Sequence, residues 1–117
     1  MPQFVHLHNH TDFSLLDGAA PVKALVAAAK AFNMPGLAIT DHGNMFGALG
    51  FYTECKAQGI NPIVGCEFYV AGASRRETAP TESGNKYWHF ILLAEDQEGY
   101  KNLLKLCSLS YTEGFYY

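Results

Sequence analysis

A cluster of histidines near the start of the chain is the first feature that could do chemistry. His6, His8 and His10 fall within five positions of the stretch FVHLHNHTDFSLLDG at residues 4–18, although the 117-residue chain has only five histidines. A neutral imidazole ring offers a nitrogen to a transition-metal ion near pH 7. The stretch therefore indicates a metal site, to which Asp17 could add a carboxylate.

The backbone around these histidines decides whether they can act together. Residues 4–8 alternate in the manner of a short strand, and side chains two residues apart on a strand share one face. If the extended backbone continues as far as His10, then His8 and His10 point the same way. The two rings could then hold one ion from a single strand.

Further candidate ligands stand in or after the other predicted strands. His42 follows the predicted strand 37–40, Glu67 lies in the next one and His89 in the last. In a parallel α/β fold, the loops after the carboxyl ends of the strands meet at one edge. A lone histidine is more often a hydrogen-bonded core residue, but four histidines at such positions favour a shared metal site.

Two aspartates have competing interpretations. Asp17 precedes Gly18, a pair typical of turns, so it could be a ligand or a turn residue, and the sequence leaves both open. Asp41 could cap the helix that follows it, or it could support the neighbouring His42 from behind.

Glu67 sits among strand-forming residues, where a carboxylate is costly to bury unless it is paired or bound to a metal. A bridging metal ligand fits this position. Cys66 must point to the opposite face and is expected to be a small packing residue. Mixed imidazole and carboxylate ligands suit zinc, manganese or iron better than calcium, and magnesium is a further option.

The elements that must position these residues follow from the apolar pattern. A strand followed by a helix, repeated with short connections, predicts an α/β fold built on a parallel sheet in one domain. The polar segment 72–86 is expected to be the least ordered interior part of the chain, and its pair Arg75 and Arg76 to lie in solvent. Helices are predicted over residues 21–32, 45–58 and 96–109, and strands over 4–8, 37–40, 62–65 with 67–71, and 87–94.

Composition excludes several classes of function. The formal charge of −3 and the isoelectric point near 5.9 provide no basic field for non-specific binding of nucleic acid. Three widely spaced cysteines without a CxxC pair predict free thiols in a reducing, cytoplasmic protein. No apolar run is long enough to span a membrane. GxSxG, GxxxxGK[ST] and GxGxxG are all missing from the sequence.

Three segments together resemble one known family. They are FVHLHNHTDFSLLDGA, LAITDHGNMFGALGFYTECKAQGINPIVGCEFYVA and WHFILLAEDQEGYKNLLKL, which cover most of the chain. They resemble the polymerase and histidinol phosphatase (PHP) domain, in the version at the N-terminus of bacterial replicative DNA polymerases. The resemblance implies that residues 1–117 are a PHP domain truncated at its C-terminal side. It would contain about four β/α units of a seven-stranded, distorted TIM-like barrel.

The resemblance also implies a site of three metal ions at the carboxyl-terminal rim of that barrel. His6, which precedes the ligand motif, is expected to pack or to support the ligands. The remaining ligands of the family would lie beyond Tyr117, so the fragment alone is expected to be inactive and to self-associate through uncovered apolar faces. The implied ligands are His8, His10 and Glu67 for the first ion, Glu67 and His89 for the second, and Asp17 and His42 for the third.

The resemblance implies one of two functions for the parent protein. The domain would hydrolyse phosphoesters, for example as a 3′–5′ exonuclease that proofreads DNA, or it would support the polymerase structurally. The expected partners are DNA and other replicase subunits, with no membrane. A stand-alone phosphatase resembling histidinol phosphatase is the alternative, and a non-catalytic scaffold is a third possibility. The segments DHGNMFGALGFY and GINPIVGCEFYVA favour the polymerase version over the phosphatases.

Overall fold

Helices and strands alternate over residues 22–70, and within the described residues the third strand follows the second with no helix between them. The computed structural model describes residues 3–76 and 87–114. Helix α2 begins three residues later than expected, because Phe46 and Gly47 form a turn and the Asn44 side chain accepts a hydrogen bond from the Phe46 N–H. The elements are α1 (Val22–Ala31), β1 (Gly36–Ile39), α2 (Ala48–Gln58), β2 (Asn61–Val70), β3 (Trp88–Leu93) and α3 (Gln97–Thr112).

The three strands form one sheet in the order β1-β2-β3, and they are not all parallel. β1 and β2 are parallel, but β3 runs antiparallel to β2, so the prediction of a parallel sheet was wrong for this strand. Tyr69 near the end of β2 pairs with His89 near the start of β3. The reversed direction therefore still brings His89 to the edge where β2 ends.

The predicted strand at residues 4–8 lies beside β1 but does not form a regular ladder. The Ala38 N–H donates to the His6 oxygen at 3.0 Å, and the Thr40 N–H donates to the Asn9 oxygen at 2.9 Å. Between these two bonds, the Asn9 side-chain amide donates to the Ala38 oxygen at 2.9 Å. A side chain thus satisfies a carbonyl that a neighbouring strand would satisfy with its backbone.

The ends of two helices follow the expected local chemistry. Asp96 caps α3 by accepting a hydrogen bond from the Gly99 N–H at 2.8 Å. Gly59 ends α2 in the left-handed conformation, with φ of 75°, as predicted for a glycine at this position.

Two apolar clusters hold the helices against the sheet. In the first, α1 and α2 pack on β1. In the second, Cys66 and Phe68 of β2 pack against Leu103 of α3, which confirms Cys66 as a packing residue. The first cluster contains Val26, Ala29, Leu37, Ile39, Phe51, Cys55 and Ile60.

The three cysteines are free, as predicted. Burial raises the pKa of the Cys66 thiol to about 12 and that of the Cys55 thiol to about 11, so both remain protonated and inert near neutral pH. In the portion of the chain that the structure describes, no helix is both long and apolar enough to cross a bilayer.

Most of the polar segment 72–86 lies outside the described residues, so its predicted disorder stays a prediction. Its described part differs from a free surface loop. Arg75 and Arg76 both form ion pairs with Glu113, the residue that follows α3. The two arginines are exposed but not unpaired.

Candidate metal centre

Glu67 lies at the centre of a group of imidazole rings. Its side chain is buried, and the residue exposes only 4% of its surface. His8 Nε2 lies 2.8 Å from Glu67 Oε2, and His10 Nε2 lies 2.5 Å from the same oxygen. His89 Nδ1 lies 2.9 Å from the other carboxylate oxygen, Oε1. Both oxygens of Glu67 are thus directed at nitrogen atoms that can bind metals.

A second carboxylate, that of Asp17, lies beside this group, in the loop that follows His8 and His10. Asp17 Oδ2 lies 2.8 Å from His42 Nε2 and 3.6 Å from His10 Nδ1. The rings of His10 and His42 are adjacent, with centroids 3.9 Å apart. His10 therefore faces Glu67 with one ring nitrogen and Asp17 with the other.

The histidines also set the charge of Glu67. Burial by itself would raise the pKa of this carboxyl group, but hydrogen bonds from His8 and His10 and the nearby His42 outweigh burial and lower the pKa to about 2. Glu67 is therefore an anion over the whole physiological range. A permanent negative charge among imidazoles is the charge pattern that a divalent cation requires.

The donor atoms fit metal ions better than they fit one another. Nε2 of His8 and Nε2 of His10 lie only 3.2 Å apart and face the same carboxylate oxygen. His42 Nδ1 is buried and, within the described residues, has no hydrogen-bond partner, since Glu67 Oε2 is 3.7 Å away. A buried ring nitrogen without a partner is costly unless an ion occupies its lone-pair direction.

The donors form three overlapping groups of the size that an ion needs. Within each group, one ligand atom from every residue lies within 4.8 Å of the others. Glu67, His10 and His42 each belong to two groups. The two oxygens of Glu67 allow it to bridge neighbouring ions, whereas a neutral imidazole has one lone pair, so His10 and His42 can each serve one ion at a time. The groups are His8, His10 and Glu67; His10, Asp17 and His42; and His42, Glu67 and His89.

A buried hydrogen-bond network behind the donors fixes their positions. Asp41 exposes 1% of its surface and accepts hydrogen bonds from the Thr11 N–H at 2.6 Å and the Thr11 hydroxyl at 2.8 Å. The Ser14 hydroxyl donates to Asp41 Oδ1 at 2.8 Å and accepts from the His42 N–H at 3.1 Å. Asp41 thereby ties the loop before Asp17 to the segment that holds His42.

The backbone completes this connection. The Glu67 N–H donates to the Asp41 oxygen at 3.0 Å, and the Gly43 N–H donates to the Glu67 oxygen at 2.9 Å. His42 is thus held beside Glu67 beyond the end of β1. Gly43 has φ of 61°, a conformation that glycine adopts without strain.

The structure brings all six predicted ligands together: His8, His10, Asp17, His42, Glu67 and His89. The other expectations fare differently. His6 is exposed, with its ring edge-on to Phe4 at 4.8 Å, and its expected role in packing or in supporting the ligands stays a prediction. Asp41 does not cap α2, whose N-cap is Gly47. It is linked to the His42 backbone N–H through the Ser14 hydroxyl, and its support of His42 as a metal ligand stays a prediction.

Sequence reasoning missed four residues around the centre. Thr11 and Ser14 gave no signal, because a hydroxyl that serves a buried carboxylate resembles any other loop hydroxyl. Tyr69 could have been found, since it lies two residues after Glu67 and therefore on the same face of β2. Tyr87 lies beside Tyr69, with ring centroids 4.9 Å apart.

Comparison with known proteins places this geometry in a family. Residues 6–117 match the model of the PHP domain. The chain is 53% identical to DNA polymerase III subunit alpha of Borreliella burgdorferi over 98% of its own length, and 52% identical to that of Treponema pallidum over 97%. It spans about a tenth of the length of these relatives, 10% in each case. The predicted similarity to the polymerase version is confirmed.

Solved structures share the fold at lower sequence identity. A proposed metal-dependent phosphoesterase from Bifidobacterium adolescentis superimposes with a TM-score of 0.61 at 19% identity, covering 89% of this chain and 33% of that protein. An amidohydrolase from Chromobacterium violaceum, solved with sulfate and without metal, gives a TM-score of 0.59 at 21% identity, covering 86% and 32%. The chain belongs to the PHP domain family.

Proposed function

We propose that this chain forms part of the PHP domain of a bacterial replicative DNA polymerase, DNA polymerase III subunit alpha, and that this domain hydrolyses phosphodiesters at the 3′ end of DNA. The observation that carries the proposal is the convergence of four imidazoles on the buried Glu67 carboxylate, with His42 Nδ1 left without a hydrogen-bond partner among the described residues. The names of the relatives favour a polymerase over a stand-alone phosphatase resembling histidinol phosphatase.

The chain's own residues would do two things in this reaction. The low pKa of Glu67, about 2, keeps the carboxylate charged, so it can neutralise cations in every state of the cycle. The Asp41 network holds Asp17 and His42 in place, so the donors need no rearrangement to bind ions. Bound divalent ions would supply an activated water and stabilise negative charge on the phosphoryl oxygens.

The donor set favours some divalent ions over others. The candidate ligands are imidazole nitrogens and carboxylate oxygens without a thiolate, which suits zinc, manganese or iron, with magnesium as a further option. His8, His10 and Glu67 would hold one ion, Glu67 and His89 would share a second, and Asp17 and His42 would hold a third. His42 also lies close enough to Glu67 and His89 to contribute to the second ion.

For the architecture, we propose that residues 1–117 are the N-terminal portion of a seven-stranded, distorted TIM-like barrel. The mixed α/β fold and its likeness to a proposed phosphoesterase support this. On that view the remaining strands and ligands belong to chain beyond Tyr117, and the fragment alone would have no useful turnover. DNA and other replicase subunits would be the partners of the full-length protein, in the cytoplasm.

The proposal of self-association rests on uncovered apolar side chains. Trp88 and Phe90 of β3 expose much of their surface, and within the described residues no strand pairs with the outer edge of β3. Such an edge is a template for pairing with another chain. Light scattering of the 117-residue chain should report dimers or larger species, and a monomer at all concentrations would contradict the expectation.

Hydrolysis is tested with the full-length protein, a single DNA strand labelled at its 5′ end, and added manganese. The wild type should shorten the strand from its 3′ end, and Glu67→Gln should slow this by about 100-fold or more, because the shared ligand is lost. Glu95→Gln, at an exposed position, is the matched control and should keep the wild-type rate. A wild type that binds metal but shortens no strand would contradict hydrolysis and favour structural support of the polymerase.

A further inference from the structure

Two tyrosine rings adjoin the candidate metal centre on the side of β2 and β3. Tyr69 exposes 48% of its surface and Tyr87 exposes 50%. We call this pair, Tyr69 and Tyr87, the aromatic platform. Neither ring belongs to the two apolar clusters that hold the fold together. Packing of the described core therefore does not explain why two large rings stand at this place.

The platform is continuous with the metal donors. The Tyr69 ring lies nearly parallel to the ring of His42, with an interplanar angle of 6° and centroids 6.1 Å apart. The ring of His89 meets Tyr69 edge-on at 5.1 Å and Tyr87 at 5.8 Å. A molecule whose phosphate lies among the donors would therefore reach the tyrosines with its adjoining group.

The backbone holds Tyr69 in this position. Its side chain lies on the same face of β2 as that of Glu67, two residues away. The residue pairs with His89 of β3 across the sheet. Gly43 lies directly against the ring, because a Cβ atom added there would come within 3.2 Å of Tyr69 Cε2. The glycine that bends the chain after His42 thus also makes room for the ring.

We propose that the aromatic platform stacks against the terminal nucleobase of a single DNA strand whose last phosphodiester lies at the metal centre. The inference rests on the proposed hydrolysis of DNA ends and names the part of the substrate that the protein recognises. Stacking on an aromatic side chain is tolerant of sequence, because every base has a π face. Such tolerance suits an enzyme that must act on any 3′ end.

Charge supports stacking over ionic attraction as the source of this affinity. The chain has a formal charge of −3, and the centre itself contributes the carboxylates of Glu67 and Asp17. A phosphate backbone gains little from such a surface except at the bound ions. Two neutral rings beside the ions provide contact that does not depend on charge.

The first experiment measures a ratio of rates in the full-length protein with manganese. One oligonucleotide ends in dA, and the other ends in an abasic sugar. The wild type should cleave the former about 10-fold faster at low substrate concentration, the size expected for one stacked base. The double variant Tyr69→Leu/Tyr87→Leu should lower this ratio to about 2 or less, whereas Tyr69→Phe/Tyr87→Phe should keep it, since the rings remain.

Tyr52→Leu is the matched control for the loss of a tyrosine ring. Tyr52 also exposes 48% of its surface, but it lies on α2 and contacts the Lys56 ammonium group. This variant should keep the wild-type ratio. The proposal is overturned if the wild type shows no preference for the base, or if the leucine variant keeps the preference.

A second experiment separates the platform from the proposed hydrolysis. An oligonucleotide with 5-iodouracil at its 3′ end is bound to the full-length protein and irradiated, and the adducts are located by mass spectrometry. Adducts at Tyr69 or Tyr87 are expected whether or not the strand is cleaved. Adducts without cleavage would contradict the hydrolysis and leave the platform standing, whereas adducts only at other residues would overturn the platform.

Discussion

Two buried carboxylates stand side by side in this protein and have opposite surroundings. Asp41 and Glu67 expose 1% and 4% of their surface, and the Glu67 N–H donates to the Asp41 backbone oxygen. Asp41 accepts hydrogen bonds from a backbone N–H and two hydroxyl groups. Glu67 instead faces the ring nitrogens of histidines. Burial alone therefore does not distinguish a structural carboxylate from a metal ligand.

The chemistry of the neighbours makes the distinction. A backbone N–H can only donate, and the Thr11 and Ser14 hydroxyls are oriented to donate, so the oxygens of Asp41 are already occupied. An imidazole nitrogen can either donate a proton or offer a lone pair to a metal. Asp41 is thus committed to the fold, whereas Glu67 stays available to ions.

The largest expected effect is on stability and follows from Asp41→Asn. The variant keeps the size of the side chain but directs an amide N–H₂ group at atoms that also donate. We expect the free energy of unfolding to fall by about 3 kcal/mol, because several hydrogen bonds to a buried charge are lost and their donors stay buried. Urea denaturation of the metal-free protein measures it.

Asp12→Asn is the control for this variant. Asp12 is exposed and only one position from Thr11, so its substitution should change stability by no more than about 0.5 kcal/mol. Equal losses in the two variants would show that the network does not hold the loop.

Glu67→Gln should act mainly on metal binding. Loss of the shared carboxylate should weaken the binding of zinc or manganese by about 100-fold or more. Even the loss of a residue that only orients ligands lowers metal affinity by about 10–100-fold. The metal-free variant should lose less stability than Asp41→Asn. Calorimetric titration with the metal, alongside Glu95→Gln, measures the difference, and unchanged affinity would refute the role of Glu67.

Addition of metal should stabilise the protein, because the ion would bind the donors around Glu67 in the folded state. At a free metal concentration 100 times the dissociation constant, one bound ion adds about 2.7 kcal/mol to the free energy of unfolding. A chelator should reverse the gain. Thermal melts with and without zinc measure it, and a melting temperature that does not respond would argue against a preformed site.

Two glycines should respond in opposite directions, with the smallest changes. Gly43→Ala should cost about 1–2 kcal/mol, because φ of 61° is strained for alanine and its Cβ would press on Tyr69. Gly50→Ala, in the first turn of α2 with nothing within 4 Å of the new atom, should gain about 0.5 kcal/mol. Chemical denaturation of both variants tests this, and a loss of stability at Gly50 would be the contrary result.

Much of the candidate site could be predicted from the sequence, because the spacing of its ligands along and after the strands is a local pattern. Alternation along an extended segment put His8 and His10 on one face, and the rule that strand ends meet at one edge gathered His42 and Glu67. His89 joined them for a different reason than expected. A strand that runs antiparallel to β2 presents its start, and not its end, at the same edge.

The missed features depend on partners that are distant in the chain. The Asn9 amide that interrupts the first ladder meets Ala38, 29 residues away, and Thr11 meets Asp41, 30 residues away. Polar loop residues look alike in the sequence until the fold supplies their partners. Apolar periodicity therefore located the helices and the strands β1 to β3, but it did not show that Asp41 would be held by hydrogen bonds within the fold while Glu67 faces the histidines.

The most direct test of the candidate metal centre compares the five histidines of the chain by single substitution with alanine in the full-length protein. Binding of zinc or manganese should weaken by about 10-fold or more in His8→Ala, His10→Ala, His42→Ala and His89→Ala, because each removes a candidate ligand. His6→Ala should bind as the wild type does, since His6 is exposed and belongs to none of the three donor groups. Equal weakening in all five variants, or none in any, would contradict the assignment.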